Sequence, residues 1–159
     1  MATTITPATM SITITESIKL NGTQQGATNT TSIASIAEIS KRILTITTNE
    51  STIATFSGAV ASAGHYNDSA VKYIRFTNKD NTNFVTLTFR NQDNDEVAIK
   101  VDAGNSLMLF GDNSGGMVAM FNATQDADAA SDTALGSLTN IQADANTGNC
   151  DLEVFIASV

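Results

Sequence analysis

The sequence predicts an all-β protein, an antiparallel β-sandwich that is jelly-roll-like and has about eight or nine strands. Three observations lead there. Apolar and polar residues alternate with period two in several separate runs, which puts one set on a buried sheet face and the other in water. The composition is rich in Thr, Ile and Asn with a single proline, Pro7, and such polar, β-branched sequences favour strands. Finally, 159 residues are enough for one domain with a real core, and no stretch marks a linker to a second.

Residues 1–9 read as an extended arm, Thr-rich and carrying the proline that removes a backbone donor. The sandwich domain is expected over 10–159. From Met10 the pattern sharpens: Met10, Ile12, Ile14, Ile18 and Leu20 share one parity, and Ser11, Thr13, Thr15, Ser17 and Lys19 the other. Glu16 interrupts the apolar set, which predicts a bend, a bulge or a strand edge. Asn21-Gly22 suits a tight turn, whereas residues 23–31 are polar and read as loop. Residues 33–40 stay open between helix and strand. Ile33, Ile36, Ala37, Ser40 and Leu44 fall at helical spacing, and Glu38 precedes Arg42 by one helical turn. The β-branched density of residues 43–48 argues the other way. Strands are therefore predicted over 41–48 and 52–56, and a loop over 58–68.

The stretch 70–110 is the most regular. Val85, Leu87 and Phe89 alternate with Thr86, Thr88 and Arg90, and Val97, Ile99 and Val101 with Ala98, Lys100 and Asp102. The separators, residues 78–81 and 91–95, are built of Asn and Asp with their affinity for turns. An antiparallel meander is expected here. Val85, Leu87, Phe89, Val97, Ile99 and Val101, with Leu152, Val154 and Ile156 of a closing hairpin (138–143 and 150–158), form the predicted core. Residues 107–110 and 117–121 are apolar on both faces. Core packing accounts for that, and so does a subunit contact, because such strands need cover on both sides. Residues 122–133 read as an acidic, alanine-rich loop.

The formal net charge is −8 at pH 7. Every Lys and Arg lies at or before Lys100, while Asp102, Asp112, Asp126, Asp128, Asp132, Asp144, Asp151 and Glu153 follow it. With no basic stripe, nucleic-acid binding is disfavoured. No apolar run approaches membrane-spanning length and the opening lacks the features of a signal segment, so no membrane partner is expected. Cys150 is the only cysteine, which excludes an intrachain disulfide.

The search for chemistry assigns no catalytic, cofactor-binding or metal-binding residue, and no enzyme is expected. His65 is the only histidine, so a Ser-His-Asp arrangement would rest on it alone, among Tyr66, Asn67 and Asp68, which read as loop polarity. No nucleophile elbow is present, and residues 111–116 lack the Lys-Ser/Thr of a phosphate loop. Cys150 has no helix N-terminus beside it to lower its pKa. Asp93, Asp95 and Glu96 suit a hairpin turn. Asp126, Asp128 and Asp132 lack the glycine and terminal glutamate of an EF-hand calcium loop. A glycan-binding sandwich is an alternative, although its usual aromatic platform has only Tyr66 and Tyr73 to draw on and no Trp.

Three segments carry a resemblance: MATTITPATMSITITESIKLNG at 1–22, YIRFTNKDNTNFVTLTFRNQDNDEVAIKVDAGNSLMLF at 73–110 and CDLEVFIASV at 150–159. Together they resemble the small virion proteins of tailed bacteriophages, marine and cyanobacterial ones in particular. The resemblance implies a capsid decoration (cement) protein, made in the host cytoplasm and residing on the capsid surface of the virion. It also implies a homo-oligomer, a trimer by preference, bridging subunits of the major capsid protein. A tail or neck component is the other implication. The candidate partner contacts are Thr3, Thr4, Ile5, Thr6 and Pro7 in the arm, and Met108, Phe110, Met117, Met120 and Phe121 in the two-faced runs. The arm has β-propensity but no turn chemistry, so it is expected to add to a sheet edge on a neighbour.

Overall fold

The computed structural model describes residues 5–58, 62–110 and 138–159. Their regular structure is entirely β, in thirteen strands. These are β1 (Ala8–Thr15), β2 (Lys19–Leu20), β3 (Thr23–Gln24), β4 (Thr28–Ile36), β5 (Glu38–Ile46), β6 (Ser51–Ser57), β7 (His65–Asn67), β8 (Val71–Asn78), β9 (Val85–Asn91), β10 (Glu96–Val101), β11 (Ser106–Phe110), β12 (Leu138–Ala145) and β13 (Cys150–Ser158). Three short strands, β2, β3 and β7, together with β4 raise the number above the eight or nine expected. Residues 33–40, open in the sequence, are extended, and residues 23–31 are mostly strand rather than loop.

Two sheets enclose the core, a five-stranded sheet in the order β10-β9-β12-β6-β7 and a four-stranded sheet in the order β11-β8-β13-β5. Their pairings are antiparallel apart from β6 with β7. Alternation sorts the side chains. Ile74 and Phe76 of β8 and Leu152, Val154 and Ile156 of β13 face inward, against Val85, Leu87 and Phe89 of β9 and Ile141 and Ala143 of β12. Phe76 meets Phe89 edge-on across the two layers at 6.3 Å. Of the predicted core only Ile99 and Val97, both on β10, fall short. Val101 is buried and Ile99 partly so, but Val97 stays 38% exposed because it lies on an edge strand beside the turn that joins β9 to β10.

The stretch 70–110 is not a meander. β9 and β10 form a hairpin in one sheet, while β8 and β11 pair with each other in the other. Asn78, fully buried, anchors the crossover from β8 to β9. Its amide donates to the carbonyls of Asn83 (2.8 Å) and Val101 (3.1 Å), and its oxygen accepts from the Asp80 N–H (3.0 Å). Asp80 then caps the loop by accepting from the N–H groups of Asn83 and Thr82, which hold its carboxyl below the usual range.

Residues 58–68 are not wholly loop either. β7 runs beside β6, and Tyr66 is a buried core residue whose hydroxyl lies 3.0 Å from Ser40 Oγ, not loop polarity. Cys150 is buried as well, and burial pushes its thiol pKa up, with the charges of Asp80 and Asp151 acting in the same direction.

Candidate interaction face

Residues 8–36 form one long β-hairpin outside both main sheets. β1 pairs with β4, and β2 with β3, around Asn21 (φ 51°) and Gly22 (φ 82°). Two successive positive φ values are what a tight hairpin turn needs, and Asn-Gly supplies them cheaply. Regular pairing stops after Thr15, where the sequence placed its interruption. The register nonetheless carries through: the Glu16 N–H donates to the Ala27 carbonyl (2.8 Å) and the Gln25 N–H to the Ile18 carbonyl (2.9 Å). Glycine is required between them, since a Cβ on Gly26 would sit 2.0 Å from the Glu16 carbonyl oxygen. At the base a bulge shifts the register between Ala8 and Met10, and Ser35 takes a left-handed φ of 63° to make it.

The hairpin has two unlike faces. One carries hydroxyl pairs, Ser11 with Ser32, Thr13 with Thr30 and Thr15 with Thr28. The other is apolar and packs on the outer face of the four-stranded sheet. There Ile12, Ile33 and Ile36 form a second core with Tyr73 and Ala157, flanked by Met10, Phe110 and Phe155. Tyr73 sits 5.8 Å from the Phe155 ring, edge-on, and 6.3 Å from that of Phe110.

Charge is fixed in the middle of this outer face. Glu153 accepts from Arg75 (2.5 Å) and lies 3.3 Å from Lys41 Nζ, while the Arg75 guanidinium also stacks over Phe155. Burial works to raise the Glu153 pKa, but the hydrogen bonds and charges of Lys41 and Arg75 prevail and hold it below the ordinary glutamate value. The sign of the pH dependence follows. A depressed pKa in the fold means stability that is complete above the unfolded glutamate value and is lost as pH falls through the folded one. Thermal melts between neutral and strongly acid pH should therefore show a steeper acid loss for the native chain than for Glu153→Gln. Parallel curves would rule this out.

Between β1 and the sheet lies a cleft of about 260 Å³, bordered by Met10, Ile12, Tyr73, Arg75, Met108 and Phe155. A second cleft, about 340 Å³, opens where Arg42 meets Thr52, Thr55, Gly64 and His65. Arg42 donates there to the Ile53 carbonyl (2.7 Å) and stacks on Tyr66. Its Nε has no partner among the described residues. Compared with protein-family models, curated proteins and solved structures, the chain finds no match. The reading of these surfaces rests on their own geometry and chemistry.

The predicted contact residues are dispersed. Ile5, Thr6 and Pro7 precede β1 and are exposed, whereas Thr3, Thr4, Met117, Met120 and Phe121 lie outside the described residues. Met108 and Phe110 are half-buried. Leu107 and Leu109 face the main core, while Phe110 flanks the second core and Met108 borders the cleft under β1. The cover that a two-faced strand needs thus comes in large part from the chain's own hairpin. Asp126, Asp128 and Asp132 fall outside the described residues, among which no cluster of three or more His, Cys, Asp or Glu is placed to hold a metal. Asp93 and Asp95 belong to the β9–β10 turn, where their N–H groups donate to Asn91 Oδ1, and Glu96 pairs with Arg90 across the hairpin.

Sequence reading missed the exposed isoleucines as a site. Ile18, Leu20, Ile39 and Ile43 are each more than half exposed, and Ile14 is exposed too. The alternation of residues 10–20 held the signal: an apolar face longer than the sheet beneath it buries.

Proposed function

We propose that this chain is a non-enzymatic structural protein of a tailed-phage virion, most specifically a capsid decoration protein that bridges subunits of the major capsid protein. The observation that carries the reading is the protruding hairpin, whose apolar face is only half covered by its own domain. Apolar side chains held out on a braced two-stranded ribbon suit adhesion to a protein surface. Many such contacts repeated by symmetry raise avidity well above any single weak contact.

The chain path supports a jelly-roll reading of the fold. From β5 to β13 the pairings are nested: β5 with β13, β6 with β12, β8 with β11 and β9 with β10. That is one long hairpin rolled into two facing sheets, with β7 added at an edge. Capsid and lectin domains share this architecture, so the fold by itself does not choose between them.

The arm gives a direct test. Of the expected arm, residues 1–9, Ala8 and Thr9 belong to β1; residues 1–7 carry no charged side chain, so their attachment would desolvate no side-chain charge and respond little to salt. Deleting them should leave the melting temperature unchanged and lower occupancy on particles assembled without this protein. Equal occupancy of full-length and shortened chains, measured by electron microscopy, would reject the arm's role. Failure of the full-length chain to bind particles at all would reject the decoration reading.

A further inference from the structure

Among the described residues two apolar rows are exposed, and their chemistry is complementary. In extended chain, alternate side chains stand about 7 Å apart on one face. The backbone bonds that continue the ladder past Thr15, from Glu16 N–H to Ala27 and from Gln25 N–H to Ile18, keep Ile14, Glu16 and Ile18 at one parity as apolar, acidic, apolar, with Leu20 beyond them. On β5 the outward residues Ile39, Lys41 and Ile43 read apolar, basic, apolar at the same spacing. Face to face, the rows would set isoleucine against isoleucine and Glu16 against Lys41. Each row is symmetric about its charge, so the match holds whichever way the strands run.

Within one chain the rows do not cover each other. The hairpin's base already occupies the sheet over Tyr73 and Ala157, and Ile18, Leu20, Ile39 and Ile43 all remain largely in solvent. Lys41 is held 3.3 Å from Glu153, yet its side chain is more than half exposed and its ammonium has three donors to share. We infer that the distal hairpin of one copy docks on the outer face of β5 of a second copy, with Ile14 and Ile18 against Ile39 and Ile43 and Glu16 beside Lys41. Every copy carries both halves of the contact. If the exchange is mutual it closes a dimer, and if it runs head to tail it builds a ring or a chain. This contact draws on the same exposed hairpin residues as the virion reading, and sedimentation of the protein alone tests it apart from particle binding.

Sedimentation of the full chain and of two variants provides the test. Ile18→Asp and Ile43→Asp alter exposed side chains outside both cores, so each should keep the fold, read as an unchanged far-ultraviolet circular dichroism spectrum. The native chain is expected to associate, and each variant alone to sediment as a monomer. Mixed in equal amounts, the variants should form a heterodimer, because one retains an intact β5 face and the other an intact hairpin. Glu16→Gln should weaken association by no more than about fivefold, the scale of an exposed ion pair. Val97→Asp, exposed on the other sheet, should change nothing. A monomeric native chain overturns the inference, as does native-like association of either single variant. So does a mixture that associates no more than either variant alone at the highest concentration measured.

Discussion

Leu87→Ala is expected to destabilise the domain by about 2–5 kcal/mol, the range for removing a large buried aliphatic side chain. Leu87 lies at the middle of β9 with no exposed surface. Its cross-strand neighbours are Ile99 on β10 and Ala143 on β12. Ala143 is too small to fill the space a lost isobutyl group leaves, and Ile99 is tied into the β10 ladder, so the cavity should collapse only in part. Cost rises with the cavity that remains, which puts this site toward the upper part of the range. A urea titration reads it directly as a lower midpoint with an unchanged slope. A midpoint equal to that of the parent would mean that β9 does not face the core in this register.

Asn78→Ala should cost about 3 kcal/mol by a different route. The side chain fills little volume but satisfies three backbone groups: the carbonyls of Asn83 and Val101 and the N–H of Asp80. Removing it strands those groups in a region where water has little access, and each buried unsatisfied group costs about 1–3 kcal/mol, less whatever water recovers at the loop. Asn78→Asp separates hydrogen bonding from packing, because its shape is nearly the same. It keeps the acceptor for Asp80 but turns a carboxylate toward two carbonyl oxygens, so it should be at least as damaging as alanine at neutral pH. Acid should relieve part of the loss as the carboxyl protonates and can donate again. If Asn78→Asp is as stable as the parent at neutral pH, the amide is not the anchor of the β8–β9 crossover.

These two sites differ in how readable they were. Leu87 is legible from its neighbours alone, since Val85, Leu87 and Phe89 alternate with polar residues on either side. Asn78 is not. In the sequence it opens a polar turn like any other, and nothing local distinguishes it from Asn81 or Asn94, because its partner Val101 lies 23 residues away. Glu153 shows the same limit. By position it belongs to the acidic last third of the chain, yet it pairs with Arg75, 78 residues earlier, and with Lys41.

What the sequence by itself determined is what a strand carries along its own length: the all-β class, the inward face of β9 and β13, the Asn21-Gly22 turn and the break at Glu16. Period-two alternation and turn chemistry act over a few residues, so they survive in a bare sequence. Only the tertiary structure decided which strands lie side by side, that β8 pairs with β11 rather than with β9, and that β5 pairs with β13 across most of the chain. It also decided that Phe110 packs beside the hairpin while Ile18, Leu20, Ile39 and Ile43 stay exposed. An apolar residue of the right parity is equally suited to a core, to the underside of a hairpin or to a second molecule. Which of these it meets depends on surfaces brought together from distant parts of the chain, and local alternation contains no term for that.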